Sequence, residues 1–192
     1  MKLTILGSGT SQGIPVIACQ CDVCRSADKH DKRLRSSAML EVKGKKIIID
    51  AGPDFRYQML RSGVEDIRAI LLTHGHKDHV GGLDDVRAFN WVKQGAVDVY
   101  GSSETRDVVY KDFSYAFAAF RYPGVPEIAY HTLDNSPFFI DDIKVIPIPV
   151  LHYKMPVLGF RIGNFAYITD AKTIPETSFE LLRGVEYLVV NA

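Results

Sequence analysis

The segment ILLTHGHKDHVGGL, residues 70–83, decides the reading of this chain. Three of the chain's six histidines, His74, His76 and His79, fall within six residues of it, with Asp78 among them. The preceding ILLT is apolar and β-leaning, so DIRAILLTH predicts a buried strand that delivers His74 at its C-terminal end. Strand ends in α/β sheets are where ligand sites form. His74 and His76 sit two apart on a tight loop and can turn to one side to share a metal. Asp78 and His79 open the next helix and can serve a second one. Neutral imidazole and carboxylate suit Zn²⁺, Mn²⁺ or Fe. Gly81 and Gly82 let the backbone pass close to the site. A polar surface loop with chance histidines does not account for such density.

Six residues cannot complete two metal sites, so other segments should supply ligands. IPVLHYK places His152 at the end of a β run, and AYITDAK places Asp170 at the end of another. A lone strand-end Asp is more often a cap or turn residue. Here both fall where a sheet would deliver a side chain to the same rim. His131 and His30 lack that setting. His131 reads as a cross-strand or surface residue, and His30 lies in a charged stretch.

The 192 residues suffice for one good core. The 23 basic and 23 acidic side chains cancel, which argues against a nucleic-acid partner, because gripping a polyanion needs a basic face. A small anionic substrate held by a metal remains open. The start MKLTILGSGT lacks the apolar stretch of a signal peptide, and no window reaches the length of a membrane span, so a cytoplasmic location and no membrane partner are expected. Three clustered cysteines agree, being no disulfide framework.

Along the chain, KLTIL reads as a strand, followed by the Gly/Ser-rich loop GSGTSQGIP and a polar helix from Cys24 to about Lys32. SAMLEV and KIIID form a hairpin about a Lys-Gly-Lys turn. PDFRYQMLRSG is a helix with Pro53 and Asp54 in its first turn. LDDVRAFNWVKQG is a helix, VDVYG a strand, and SSETRDVVYKDF a helix with a Ser N-cap. From about residue 128 short β runs dominate. PETSFELLRG then reads as a helix and VEYLVVNA as a strand. Two α/β halves packed sheet on sheet, with helices outside, follow from this order.

Asp50 at the end of IIID, THGHKDH at 73–79, His152 and Asp170 resemble, in order and spacing, the metallo-β-lactamase-fold hydrolases. The resemblance covers essentially the whole chain. It implies an αββα sandwich of two mixed sheets in a single domain over residues 1–192. It implies that His74, His76 and His152 bind one metal, that Asp78 and His79 bind the second, and that Asp170 bridges them. Asp50 would orient the ligand loop, and Asp50 and Asp78 would be the catalytic carboxylates. The family pattern includes one more late histidine on the second metal. The sequence stops at Ala192 before it, so the resemblance predicts that the last part of the second half is missing.

CQCDVC places thiols at Cys19, Cys21 and Cys24, a spacing that lets three thiolates converge on one tetrahedral ion. A fourth ligand is not obvious. Asp22 faces the wrong way, and His30 is the local candidate. GSGTSQGIPVIACQCDVC also resembles the start of the phosphoribosyl 1,2-cyclic phosphate phosphodiesterases. In that branch a cysteine-rich insertion, here about residues 17–35, binds a structural zinc completed by a C-terminal histidine. HYKMPVLGF matches the branch too, and Lys154 is read either as a phosphate contact or as a solvated lysine.

The implied function is hydrolysis of a small cyclic ribosyl phosphodiester through hydroxide activated by two divalent metals, Zn or Mn. Alternatives are a tRNA 3′-processing endonuclease or a thiol-ester hydrolase of the same fold, and, in another class, a metal-binding but catalytically incomplete chain. The basic run Arg25, Lys29, Lys32, Arg33 and Arg35 reads first as a solvated helix face and second as a phosphate funnel. FSYAFAAFRY, residues 113–122, reads first as core or lid and second as a homodimer face.

Overall fold

Three consecutive isoleucines, Ile47, Ile48 and Ile49, all have zero exposure, which requires a strand covered on both faces. The computed structural model describes residues 1–191; Ala192, the end of the expected last strand, lies outside them. Among the described residues the first sheet has six strands: β1 (Lys2–Gly7), β2 (Ser37–Val42), β3 (Lys45–Ile49), β4 (Ala69–Leu71), β5 (Val97–Gly101) and β6 (Ile128–Thr132), side by side in that order. β1, β2 and β3 pair antiparallel, and β3 to β6 pair parallel. The second sheet holds β7 (Phe138–Ile140), β8 (Ile143–His152), β9 (Met155–Ile162), β10 (Phe165–Ile168) and β11 (Tyr187–Val190), in the reverse order β11-β10-β9-β8-β7.

Side chains alternate across a strand, and the alternation builds three apolar layers. Ile47 and Ile49 face Leu158, Phe160, Phe165 and Tyr167 of the second sheet. Ile48 faces away, toward Phe55, Met59 and Phe89 of α2 (Phe55–Arg61) and α4 (Arg87–Lys93). The far side of the second sheet, with Ile148, Val150 and Ile168, packs on Leu181 and Leu182 of α6 (Glu176–Leu182). The expected αββα order is therefore the observed one. The remaining helices are α1 (Asp22–Arg25), α3 (Lys77–Val80) and α5 (Ser103–Asp112).

Several local expectations need correction. The helix expected from Cys24 to about Lys32 is two short pieces, α1 and a 3₁₀ turn at Lys29–Asp31. Asp28 breaks it by accepting the His30 backbone N–H at 2.8 Å, a local bond that competes with a continuing helix. Pro53 and Asp54 precede α2, with Asp54 at its N-cap. The β-rich texture begins at Ile128 as expected, but the second sheet starts one strand later, because β6 completes the first sheet. The hairpin turn fits well: Lys43 and Gly44 both have positive φ, 52° and 76°, the twist that two-residue turns require.

The segment after β3 is laced to the histidine loop by backbone hydrogen bonds. Ala51 N–H donates to the His79 carbonyl at 2.8 Å, and Gly82 N–H donates to the Ala51 carbonyl at 2.8 Å. The approach is so close that a Cβ on Gly52 would stand 1.9 Å from the Asp78 carbonyl oxygen. A Gly52→Ala substitution must part these two loops. It should destabilise the fold by about 1–3 kcal/mol, the usual cost of overpacking, and lower metal retention. Denaturant unfolding with metal analysis checks both, and an unchanged midpoint would show that the loops can separate freely.

Candidate metal centre

Asp50 directly follows β3, with φ of 63° and no exposure. Asp tolerates this left-handed backbone better than most residues. The twist sends the carboxylate under the histidine loop. Its Oδ1 accepts the Thr73 backbone N–H at 2.8 Å, and the Thr73 hydroxyl donates to the same carboxylate at 2.9 and 3.0 Å. Its Oδ2 accepts from His79 Nδ1 at 2.7 Å. With its proton spent on Asp50, the Thr73 oxygen is left to accept from His74 Nδ1 at 3.0 Å. Both rings therefore carry their proton on Nδ1 and present Nε2 to the site, the arrangement metal-binding imidazoles need.

The Nε2 atoms converge on one carboxylate. Asp170 follows β10 with φ of 53°. Its Oδ2 lies 3.4 Å from His74 Nε2 and 3.2 Å from His79 Nε2. His74 Nε2 also faces His76 Nδ1 at 3.0 Å, and His79 Nε2 faces Asp78 Oδ2 at 3.2 Å. Two donor groups result, each with its ligand atoms within 4.8 Å of one another: His74, His76 and Asp170, and Asp78, His79 and Asp170. The His152 ring flanks the first group, 5.6 Å from His76 and 6.2 Å from His74 between centroids, without entering that tight set.

The electrostatics fit cations in both groups. Burial first, then the charge on His79, push His74 down to about 4, so its ring is a lone-pair donor. Burial opposes charge on His79 as well, yet Asp50, Asp170 and Asp78 raise it to about 12. The His79 hydrogen bond holds Asp170 down at about 2. Asp78 is also lowered, its burial outweighed by the contact with His79. Facing lone pairs on one side and carboxylates clustered about one proton on the other form a site that a pair of divalent ions would complete.

Sequence reasoning passed over Thr73, whose hydroxyl links Asp50 to His74. It also passed over the wall of the groove beside the centre. That groove, about 180 Å³, is lined by His152, Tyr153, Asp170, Lys172 and Asn191. Lys172 is exposed, with its Nζ 5.9 Å from the Tyr153 ring centroid, a cation–π distance. The signal was available: Lys172 stands two residues past the strand-end Asp170. Lys154 occupies the β8–β9 hairpin turn, exposed, next to Tyr153.

Cys19, Cys21 and Cys24 converge, with all three sulfurs within 4.8 Å. Cys24 is buried and its Sγ accepts the Val16 backbone N–H at 3.4 Å. His30 does not join them; its Nδ1 pairs with Asp28 Oδ1 at 2.8 Å. His131 is the cross-strand residue expected, bonded to Asp98 Oδ1 at 2.8 Å and stacked on Tyr100. Of the aromatic run, Phe113 and Ala116 are buried, Phe117 stacks on Tyr110, and Phe120 and Tyr122 are exposed. Among the described residues no helix is long and apolar enough to cross a membrane.

The model of the β-lactamase superfamily domain matches residues 45–192. The chain belongs to that superfamily. It is 42% identical over 193 residues to a protein named octanoyltransferase from Porphyromonas gingivalis, covering 100% of this chain and 39% of that protein. It is 29% identical over 168 residues to a ribonuclease Z from Nostoc sp., covering 85% of this chain and 47% of that enzyme. The chain thus spans less than half the length of these two relatives. Among solved structures, a diphosphatase from the PhnP family superposes with a TM-score of 0.89 at 42% identity, over 97% of this chain and 71% of that one. A Zn²⁺-bound PqqB from Methylobacterium extorquens shares the fold at 23% identity, with a TM-score of 0.77, over 100% of this chain and 73% of that one.

Two outcomes follow from the geometry. Asp50→Asn keeps the shape but replaces one acceptor with a donor facing His79, so metal affinity should fall by about 10–100-fold. Competition against a chelator of known affinity measures this, with circular dichroism to confirm the fold. Second, His79 holds a proton at neutral pH in the absence of metal, being raised to about 12. Binding must expel that proton, so about one proton should leave this group at pH 7 and affinity should drop as pH falls. Calorimetry in two buffers of different ionisation enthalpy counts the protons.

Proposed function

We propose that this chain carries the catalytic centre of a metal-dependent hydrolase acting on a small phosphodiester, with a cyclic ribosyl phosphodiester as the leading candidate. The observation that carries this reading is the shared carboxylate: Asp170 Oδ2 stands within 3.4 Å of His74 Nε2 and 3.2 Å of His79 Nε2, so two donor groups adjoin. Two divalent ions, zinc or manganese, would supply Lewis acidity and an activated water at such a place. His74, His76 and His152 would hold one, Asp78 and His79 the other, and Asp170 both. Asp50 fixes the His79 ring through its 2.7 Å bond, and Thr73 does the same for His74 at 3.0 Å. Asp78 would accept a hydrogen bond from the water that attacks phosphorus. Lys172 lines the groove that holds His152, and its ammonium would suit phosphoryl oxygens there; Lys154, in the adjoining β8–β9 turn, would be a second phosphate contact. Cys19, Cys21 and Cys24 would hold a structural zinc.

The 42% identity to a diphosphatase supports a phosphoryl substrate and makes cleavage of a diphosphate bond the second reading. An RNA substrate, as the ribonuclease Z likeness would have it, gets no support from a net charge of zero.

The zinc- or manganese-loaded protein should be assayed side by side on phosphoribosyl 1,2-cyclic phosphate, a nucleoside diphosphate and a precursor tRNA. The cyclic diester should turn over fastest, chelation should abolish it, and His76→Ala should cost about 100-fold or more. Faster diphosphate cleavage would move the assignment to the second reading. No turnover of any of the three, with both groups loaded, would overturn the hydrolase reading.

A further inference from the structure

A cavity of about 640 Å³ shares no lining residue with the histidine groove. It forms where the cysteine segment meets α2. Lys29, Lys32 and His30 line one side, Arg61 and Tyr57 the other, and Pro15 adds an apolar wall. No acidic side chain lines it. In a chain with as many acids as bases, three cations and an imidazole around one opening are a local excess.

Asp28 and Asp31 adjoin these residues in sequence and offset part of the charge, but neither lines the cavity. Asp28 is engaged by His30 at 2.8 Å, and Arg35, the end of the basic run, is withdrawn from it by Asp54 at 3.0 Å. Two of the lining cations are anchored by carbonyls, not by carboxylates. Lys32 Nζ donates to the Cys24 carbonyl at 3.3 Å, and Arg61 Nη2 donates to the Leu6 carbonyl at 2.6 Å. A neutral anchor positions a cation and leaves its charge uncompensated. Tyr57 is 57% exposed although it is aromatic and sits beside these charges. An exposed ring next to a cationic pocket is the pairing that binds a base and its phosphate.

We propose that this cavity is a nucleotide-binding site, separate from the candidate metal centre, in which Tyr57 stacks on the base while Lys29, Lys32 and Arg61 hold the phosphate. It gives a role to Lys29 and Lys32 of the basic run, which the metal chemistry leaves unused. The nucleotide unit could be free or part of an RNA strand, and the two sources share this chemistry.

The test is calorimetric titration of the zinc-loaded protein with AMP, with an oligoadenylate, and with adenosine and inorganic phosphate as controls. AMP should bind saturably. Tyr57→Ala and the Lys29→Ala/Lys32→Ala pair should each weaken it by about 5-fold or more, while His152→Ala leaves it unchanged. Tyr57, Lys29 and Lys32 are all exposed, so these variants should fold, and circular dichroism confirms it. Tighter oligoadenylate binding, lost in the same variants, would make an RNA strand the source; an equal or weaker affinity would make it the free nucleotide. No saturable AMP binding, phosphate binding as well as AMP, or loss of binding in His152→Ala but not in the cavity variants would each overturn the proposal.

Discussion

The carboxylate of Asp50 has no exposure, and the rest of the centre is arranged around it. A buried charge survives only when its lone pairs are met. Here a backbone N–H, a hydroxyl and an imidazole meet them, from Thr73 and His79. Each of those bonds also orients something. The Thr73 bonds fix the exit of β4, and the His79 bond fixes a ring. Through Thr73 the same carboxylate sets the proton of His74. One residue thereby decides which nitrogens of two histidines face the site.

The two sheets divide the work. The first supplies Asp50, His74, His76, Asp78 and His79 from the ends of β3 and β4 and from α3. The second supplies His152 and Asp170 from the ends of β8 and β10. The distance between the donor sets is therefore a packing distance. It is held by the layer in which Ile47, Ile49 and Leu71 meet Leu158, Phe160 and Tyr167. Asp50 and Asp170 mirror each other: each follows its strand in a left-handed conformation, with φ of 63° and 53°. A rigid two-sheet core with twisted, strand-end acids is how the fold presents its carboxylates inward.

Much of this was legible because the chemistry-bearing residues are clustered or punctuate apolar runs. THGHKDH announces itself by density, and His152 and Asp170 by their position after β runs. What the sequence hides is long-range and local-backbone geometry. Nothing in IIID shows that Asp50 turns back under residue 79, twenty-nine positions later. Thr73 looks like any strand-end threonine until its hydroxyl is seen between Asp50 and His74. The helix expected from Cys24 failed for a local reason, the Asp28 turn, which a periodicity reading does not weigh against a run of polar residues. The assignment of β6 to the first sheet depends on its parallel pairing with β5, and a short strand carries no mark of its partner.

In the proposed dimetal centre two cations share Asp170, between the His74–His76 pair that follows β4 and the Asp78–His79 pair of α3. Anomalous diffraction at the zinc edge, on crystals of the zinc-loaded protein, tests it most directly. Two anomalous peaks should appear within the histidine cluster, both in contact with the Asp170 carboxylate. A single peak that leaves Asp78 and His79 without metal, or no peak among the histidines at all, would contradict it.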